Sequence, residues 1–383
     1  MAPVSSSPAQ FPSRTEAELL QLQRSGDLQV RSGAEFRCLV RDQGLAEAYR
    51  QTHVLVAGNA GFSDQASLVL HLGPTDPPMR VRRFRLGGAE GIGGHGNCDL
   101  VLPLAQGGAQ VLEALLRGER LPFSASGLST SQQPRLELET TLGLEGIGAG
   151  RLLLHRGLSE GGVVVVSSRD GLTPTPWGPV LGPLSTALCS CSGADSIGHT
   201  MPGFSQLGPG SPVLVAGAIG WVSGAGSGHN PQVKRGSSGH ARSPGACCAL
   251  EADLHALQSR WLRASRQDGG GSGLLVAIAA PVPLIHEEVA RRAACSNEAL
   301  ELPVLDYGIP RRVRPSLGSV SYAALERGTL QLDQRRLSCA PAHSPRLAAE
   351  IAEELAELLR NGQFPLRLPL LPLPQRSALR PLE

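Results

Sequence analysis

The apolar residues of this 383-residue chain fall in short runs closed by glycine or proline, and that punctuation constrains its fold more than any other feature. His53–Ala57 stops at Gly58, Ala66–Leu72 at the turn-forming segment Gly73–Pro78, Val213–Ile219 at Gly220 and Leu274–Ala280 at Pro281. Val163–Val166 is a continuous β-branched run. Short apolar runs bounded by turn formers read as strands buried on both faces. Met79–Leu86 and Leu136–Leu144 alternate apolar with polar residues, as edge or half-exposed strands do. With 47 glycines, 30 prolines and 3% aromatic residues, the chain implies tight turns and close backbone approaches more than an aromatic core.

Between these runs lie helical signals. Thr15 and Glu18 form a capping box ahead of Leu19, Leu20 and Leu22. Ala34–Arg50 has helical periodicity broken at Gly44, Gln110–Arg117 reads as a short helix, and Ala249–Leu262 as a longer one. Ser344 as N-cap, Pro345 in the first turn and Gly362 after the end frame a last helix with Leu347, Ile351, Leu355, Leu358 and Leu359 on one stripe. The expected fold is α/β, with mixed α+β left open, glycine-rich loops at strand ends and a C-terminal amphipathic helix. Residues 1–13 are expected to form a disordered leader, 14–374 a single unit and 375–383 a flexible tail, with the Pro/Leu-rich stretch from Phe364 as an extended arm.

Charge excludes several functions. With 35 basic and 33 acidic residues the chain lacks the basic stripe that a nucleic-acid backbone requires, so no nucleic-acid partner is expected. The longest apolar stretch, Leu274–Ile285, is too short to span a bilayer and holds two prolines, so no membrane partner is expected either. Met1–Arg14 has no apolar core of a secretory signal, which leads to a cytoplasmic expectation with reduced thiols. The eight cysteines are scattered without a C-x-x-C pair, so neither a structural metal nor a cofactor is expected.

Two glycine runs invite a nucleotide reading: Gly146–Gly150 and Gly224–Gly228. A dinucleotide loop opens into a helix whose N-terminus holds the pyrophosphate; here Pro231 and more glycines follow the second run, and a strand pattern follows the first. The polar loop holding His229, Asn230, Lys234 and Arg235 offers donors that could orient a carboxylate, with simple turn chemistry as the alternative. His95 and Cys98 have a ligand-like spacing beside Asp99, but two further ligands are not identifiable. The six-glycine segment Gly87–Gly96 reads as a loop, and it is expected to converge with 220–245 on one cleft.

Several stretches together resemble the homocysteine-biosynthesis (sulfur-incorporation) family. Gly228-His229-Asn230-Pro231 is similar to the end of its Gly-Thr-Gln-His-Asn-Pro signature, and Arg235 and Gly239 fall where the family has arginine and glycine. Ala279–Glu288, Val304-Leu305-Asp306-Tyr307, Leu317–Tyr322, Asp76-Pro77-Pro78 and Pro134–Thr140 resemble further family segments, so that the likeness runs from about Thr15 to Pro374. The resemblance implies transfer of sulfur to aspartate semialdehyde, carried as a cysteine persulfide because the thiolate is the nucleophile. It also implies two signature cysteines, and in this chain those positions read Asp64 and Gln132, neither of which can carry sulfur. Cys98, Cys247 and Cys248 become the surrogate candidates, and His229, Asn230, Arg235, Asp99, Asp306 and Tyr307 the candidate substrate contacts. The expected partners are a small carboxylated metabolite, a sulfur-donor or electron-donor protein, and a second copy in a homo-oligomer. A sulfurtransferase-like protein of sulfur amino-acid metabolism is the leading expectation. A non-catalytic metabolite- or partner-binding relative is the second, and acid–base chemistry through Asp99, His229 or Asp64 a third.

Overall fold

The computed structural model of the protein describes residues 11–63, 65–94, 99–266, 272–332, 334–377, 379 and 381. Among these residues a 14-stranded sheet and a 6-stranded sheet carry a mixed α and β fold. No helix among them is long and apolar enough to cross a membrane.

The spine of the large sheet is the ladder between Val54–Ser63 and Ser272–Pro283, antiparallel over ten paired residues from Val54↔Pro283 to Ser63↔Leu274. Both strands are rich in alanine and glycine, and the terminal helix Pro345–Arg360 lies across them. Small residues let the helix approach: a Cβ at Gly58 would overlap the Ala348 carbonyl oxygen. The helix starts as its sequence implies, with Ser344 Oγ accepting the Leu347 N–H at 3.3 Å. Ile351, Leu355 and Leu359 are fully buried, and Leu347 and Leu358 pack at the rim of the stripe. Transfer from water stabilises each buried leucine by about 2 kcal/mol. Phe364 and Leu366 of the following arm are also buried.

The capping box of Thr15 and Glu18, the helix break at Gly44 and the strands at Ala66–Leu72, Val164–Val166 and Glu301–Asp306 follow the sequence reading. Four readings are corrected. Gly87–Gly96 is not a loop throughout: Gly87 and Gly88, both at positive φ, make the turn into strand Ala89–Ile92, and Gly91 leaves room for the Phe84 ring. Val213–Ile219 is a hairpin, with Ala216 and Gly217 at positive φ joining Pro212–Val215 to Ala218–Ala225. Val81–Leu86 is half-exposed as expected but lies inside the sheet, between Ala89–Ile92 and Leu121–Gly127. Ala249–Leu262 is not a helix. Cys247–Asp253 is a strand in which Leu250 and Ala252 are buried and Asp253 is exposed, a period of two that helix-like spacing of the leucines disguised. Asp253 Oδ1 then accepts the His255 N–H at 2.8 Å and opens a single 3₁₀ turn.

The small sheet runs Ser316–Ser321, Glu301–Asp306, Val164–Val166, Thr186–Cys189, Arg335–Pro341, Thr329–Leu332 in spatial order. Its alternation gives it two apolar faces: Val164 and Val166 join one cluster, while Val163 and Val165 join another with Trp177, Leu305 and Tyr307. The second of these faces borders the cleft described next.

Candidate functional site

A cleft of about 470 Å³ opens between the two sheets. The large sheet contributes Ser63, Arg156, Ser159, Cys247 and Ile278; the small sheet and its loops contribute Trp177, Cys191, Tyr307 and Arg314. None of its described lining residues is acidic, and two are arginines, so the cavity favours an anionic ligand.

Cys247 is the nucleophilic side chain that the strand Cys247–Asp253 turns into this cleft. Successive residues of a strand face opposite sides, so Cys248 points into the main core, where it is fully buried and burial pushes its thiol well up. At Cys247 burial also pushes the thiol up, and the Ser159 hydroxyl and the Arg156 and Arg376 charges pull it back. Ser159 Oγ donates toward Cys247 Sγ at 3.8 Å. Room for the sulfur comes from Gly226, whose added Cβ would stand 2.7 Å from Cys247 Sγ, and Gly228 does the same for the Arg156 guanidinium. The glycines of 224–228 thus make space for side chains of this cleft. The strand Ile147–Ser159, and no helix, follows the other glycine run.

His229 holds the cysteine from behind. His229 Nδ1 lies 3.0 Å from both the N–H and the carbonyl oxygen of Cys247, and its Nε2 is buried without a hydrogen-bond partner among the described residues. Arg376 reaches back from the C-terminal arm and donates to the Gly226 carbonyl at 2.7 Å.

Arg235 lies behind the cleft wall and is fully engaged. Its Nη1 and Nη2 donate to Glu160 Oε1 and Oε2 at 2.6 and 2.9 Å, and it also donates to the Gly239 and Pro231 carbonyls. Glu160 is buried and accepts two backbone N–H groups as well, from Gly203 at 2.8 Å and Ala246 at 3.1 Å. The pair therefore clamps the 231–245 loop. Asn230 and Lys234 of that loop are exposed and do not line the cleft.

Of the remaining sequence candidates, Tyr307 lines the cleft. Asp306 is buried beside it and ties a turn: Oδ1 accepts from Ser168 at 3.0 Å and Gly308 at 2.8 Å. Burial raises its carboxyl, and the bonds from Ser168 and Gly308 overcome this and hold it below its ordinary range. Asp99 is exposed and lies 3.8 Å from His71, at the end of the Ala66–Leu72 strand remote from the cleft, which Gln65 lines. Gln132 is exposed in the turn between Leu121–Gly127 and Glu137–Leu142 and does not line the cleft. Asp64, His95 and Cys98 lie outside the described residues; the chain neighbours of Asp64, Ser63 and Gln65, both line the cleft. The expected convergence of 87–96 with 220–245 is not seen among the described residues, because Glu90, Gly91 and Ile92 border a separate groove with Arg83 and Glu137.

Sequence reasoning missed Arg156, Ser159, Trp177, Cys191 and Arg314. Behind Cys191 lies a buried polar cluster: His199 Nδ1 is 2.8 Å from Ser196 Oγ and 3.8 Å from Cys191 Sγ, and the Gly162 N–H donates to Tyr322 Oη at 3.0 Å. Burial pushes the His199 imidazole down to about 3, and it also lowers His240 and His343. Each of these groups is protonated in the unfolded chain before the folded one, so folding stability is complete above about pH 6.5 and falls as pH drops towards the folded value. The thermal midpoint should therefore decrease from pH 7 to pH 5, and His199→Asn, which keeps a polar group but does not titrate, should flatten that slope. An unaltered slope in the variant would remove His199 from the account.

A family model described as "Homocysteine biosynthesis enzyme, sulfur-incorporation" matches residues 29–366. The chain is 27% identical over 367 residues to the L-aspartate semialdehyde sulfurtransferase of Methanosarcina acetivorans, covering 94% of this chain and 71% of that protein. It is 26% identical over 375 residues to a protein of the same name from Methanocaldococcus jannaschii, covering 92% and 71%. No solved structure matches the chain significantly.

Proposed function

The chain belongs to the family of homocysteine-biosynthesis, sulfur-incorporation enzymes, and from that premise we propose that it places sulfur on a small carboxylated aldehyde in the cleft between its two sheets, through Cys247. The observation that carries this reading is the wall itself: a thiol facing a cavity with no acidic side chain among its described lining residues, with Arg156 and the Ser159 hydroxyl beside it. The names of the two relatives support aspartate semialdehyde as the substrate.

In the proposed step the Cys247 thiolate first takes the outer sulfur of a donor persulfide, whose own thiolate leaves, and the resulting Cys247 persulfide attacks the carbonyl carbon through its outer sulfur. A C–S bond forms, the C=O π pair moves to oxygen, and that oxygen takes a proton. A two-electron donor, a dithiol or an electron-carrier protein, then cleaves the S–S bond, returning the Cys247 thiol and leaving sulfur on the substrate. Loss of water and a second two-electron reduction give the product thiol. Trp177, Tyr307 and Ile278 give the cleft an apolar part of its lining.

The second reading is a relative that binds the carboxylate without transferring sulfur. Its support is that, where the resemblance implies the two family cysteines, this chain reads Asp64 and Gln132. The two readings separate in one assay. Purified protein loaded with sulfane sulfur from a small-molecule persulfide, freed of that donor and then given a dithiol reductant and aspartate semialdehyde, should form homocysteine above the protein-free rate. Stabilisation by the aldehyde with no product would favour the binding protein instead.

A further inference from the structure

Arg314 is a cleft arginine whose guanidinium is held over an aromatic ring and which, among the described residues, meets no carboxylate. Its central carbon sits 3.9 Å from the centroid of the Tyr307 ring, and Tyr307 is held edge-on by Trp177 at 6.0 Å. All three line the cleft. Stacking on an aromatic face fixes the plane of a guanidinium and leaves its edge free to receive a carboxylate with two parallel hydrogen bonds. Arg314 Nε is buried without a hydrogen-bond partner, and among the described residues Arg314 forms no ion pair. The other arginine of the cleft, Arg156, is spoken for: its Nε donates to the Ser227 carbonyl at 3.0 Å, and its charge acts on Cys247.

We propose that Arg314, stacked on Tyr307, binds the carboxylate of the ligand and so orients the opposite end of that ligand toward the Cys247 wall. The ligand class is a short aliphatic carboxylate with its reactive carbon at the far end. Arg314 and Tyr307 come from the small-sheet side and Cys247 and Arg156 from the large sheet, so a bound ligand bridges the two sheets. Arg314 is then the specificity-determining residue and Cys247 the reacting one. The orientation toward Cys247 rests on the function proposed above, whereas carboxylate binding at Arg314 does not.

The test uses the full chain and unreactive probes. Succinate and L-aspartate are titrated calorimetrically at low ionic strength into wild type, Arg314→Gln, Arg314→Lys, Tyr307→Leu and Arg156→Gln, with neutral succinamide as the uncharged control. Wild type should bind the carboxylates and not the diamide. Arg314→Gln should weaken binding by about tenfold to a hundredfold, the range for losing a charge-assisted pair. Arg314→Lys, which keeps the charge but not the fork or the stack, should fall in between and serves as the test if the glutamine variant does not fold. Tyr307→Leu should weaken binding while leaving the charge in place. The proposal is overturned if wild type binds neither carboxylate, if the diamide binds as well as succinate, or if Arg156→Gln abolishes binding and the Arg314 variants do not. Intact carboxylate binding with no homocysteine formation would instead count against sulfur transfer and leave the role of Arg314 standing.

Discussion

Cys247→Ser should remove homocysteine formation from a persulfide donor, on the order of a thousandfold or more, because a hydroxyl carries no persulfide and removing a covalent nucleophile is rarely compensated. The fold should survive, since the strand that holds Cys247 is anchored through its backbone, including the N–H that lies 3.0 Å from His229 Nδ1. Cys248→Ser is the matched control one residue away. It places a hydroxyl in the main apolar core and should lower stability while retaining activity per folded molecule. Burial pushes the Cys247 thiol up, so the wild-type rate should also rise from neutral to alkaline pH as the thiolate fraction grows. Full activity in Cys247→Ser would falsify the assignment. The same result in serine variants of all eight cysteines would mean that the sulfur path uses no protein thiol.

Glu160→Ala should be the most damaging single change near the site, costing about 3–5 kcal/mol, the range for breaking one side of a buried ion pair. The carboxylate is 1% exposed and gathers four donors: both Nη atoms of Arg235 and the N–H groups of Gly203 and Ala246. Removing it leaves a partly buried guanidinium and two backbone donors unsatisfied together. Urea unfolding should show the loss, and limited proteolysis should show faster cleavage within 231–245, the loop that Arg235 ties down. Arg235→Gln should reproduce the loosened loop, and any change in substrate affinity should follow from that loosening. If both variants match wild type in unfolding and in cleavage, the clamp has no energetic weight.

These two residues also mark where sequence reading stopped. In the sequence Arg235 stands as a family-like arginine in a polar loop, a position that suggests a substrate contact. Its partner Glu160 lies 75 positions away, a distance over which no local pattern operates. Likewise, both members of the Cys247-Cys248 pair were legible as thiols, but only the strand assignment of 247–253 decides which one faces the cleft. A helix over 249–262, as the leucine spacing suggested, would have placed them differently.

What the sequence determined by itself was the part encoded within a few residues. Apolar runs stopped by glycine or proline gave the strands near 54–63, 66–72, 164–166 and 272–283, and Thr15, Ser32 and Ser344 start helices because each cap bonds a backbone N–H three positions on. The motifs quoted from Gly228–Pro231, Ala279–Glu288 and Val304–Tyr307 resemble the family whose model matches residues 29–366. The tertiary structure alone decided the site. Arg156, Trp177, Cys191, Cys247 and Arg314 come from five separate segments, and only the meeting of two sheets brings them to one cavity. Only there does the fold turn Cys247 toward Arg156 and Ser159 and Cys248 into the core, because both placements depend on atoms that are distant in the chain and adjacent in the fold.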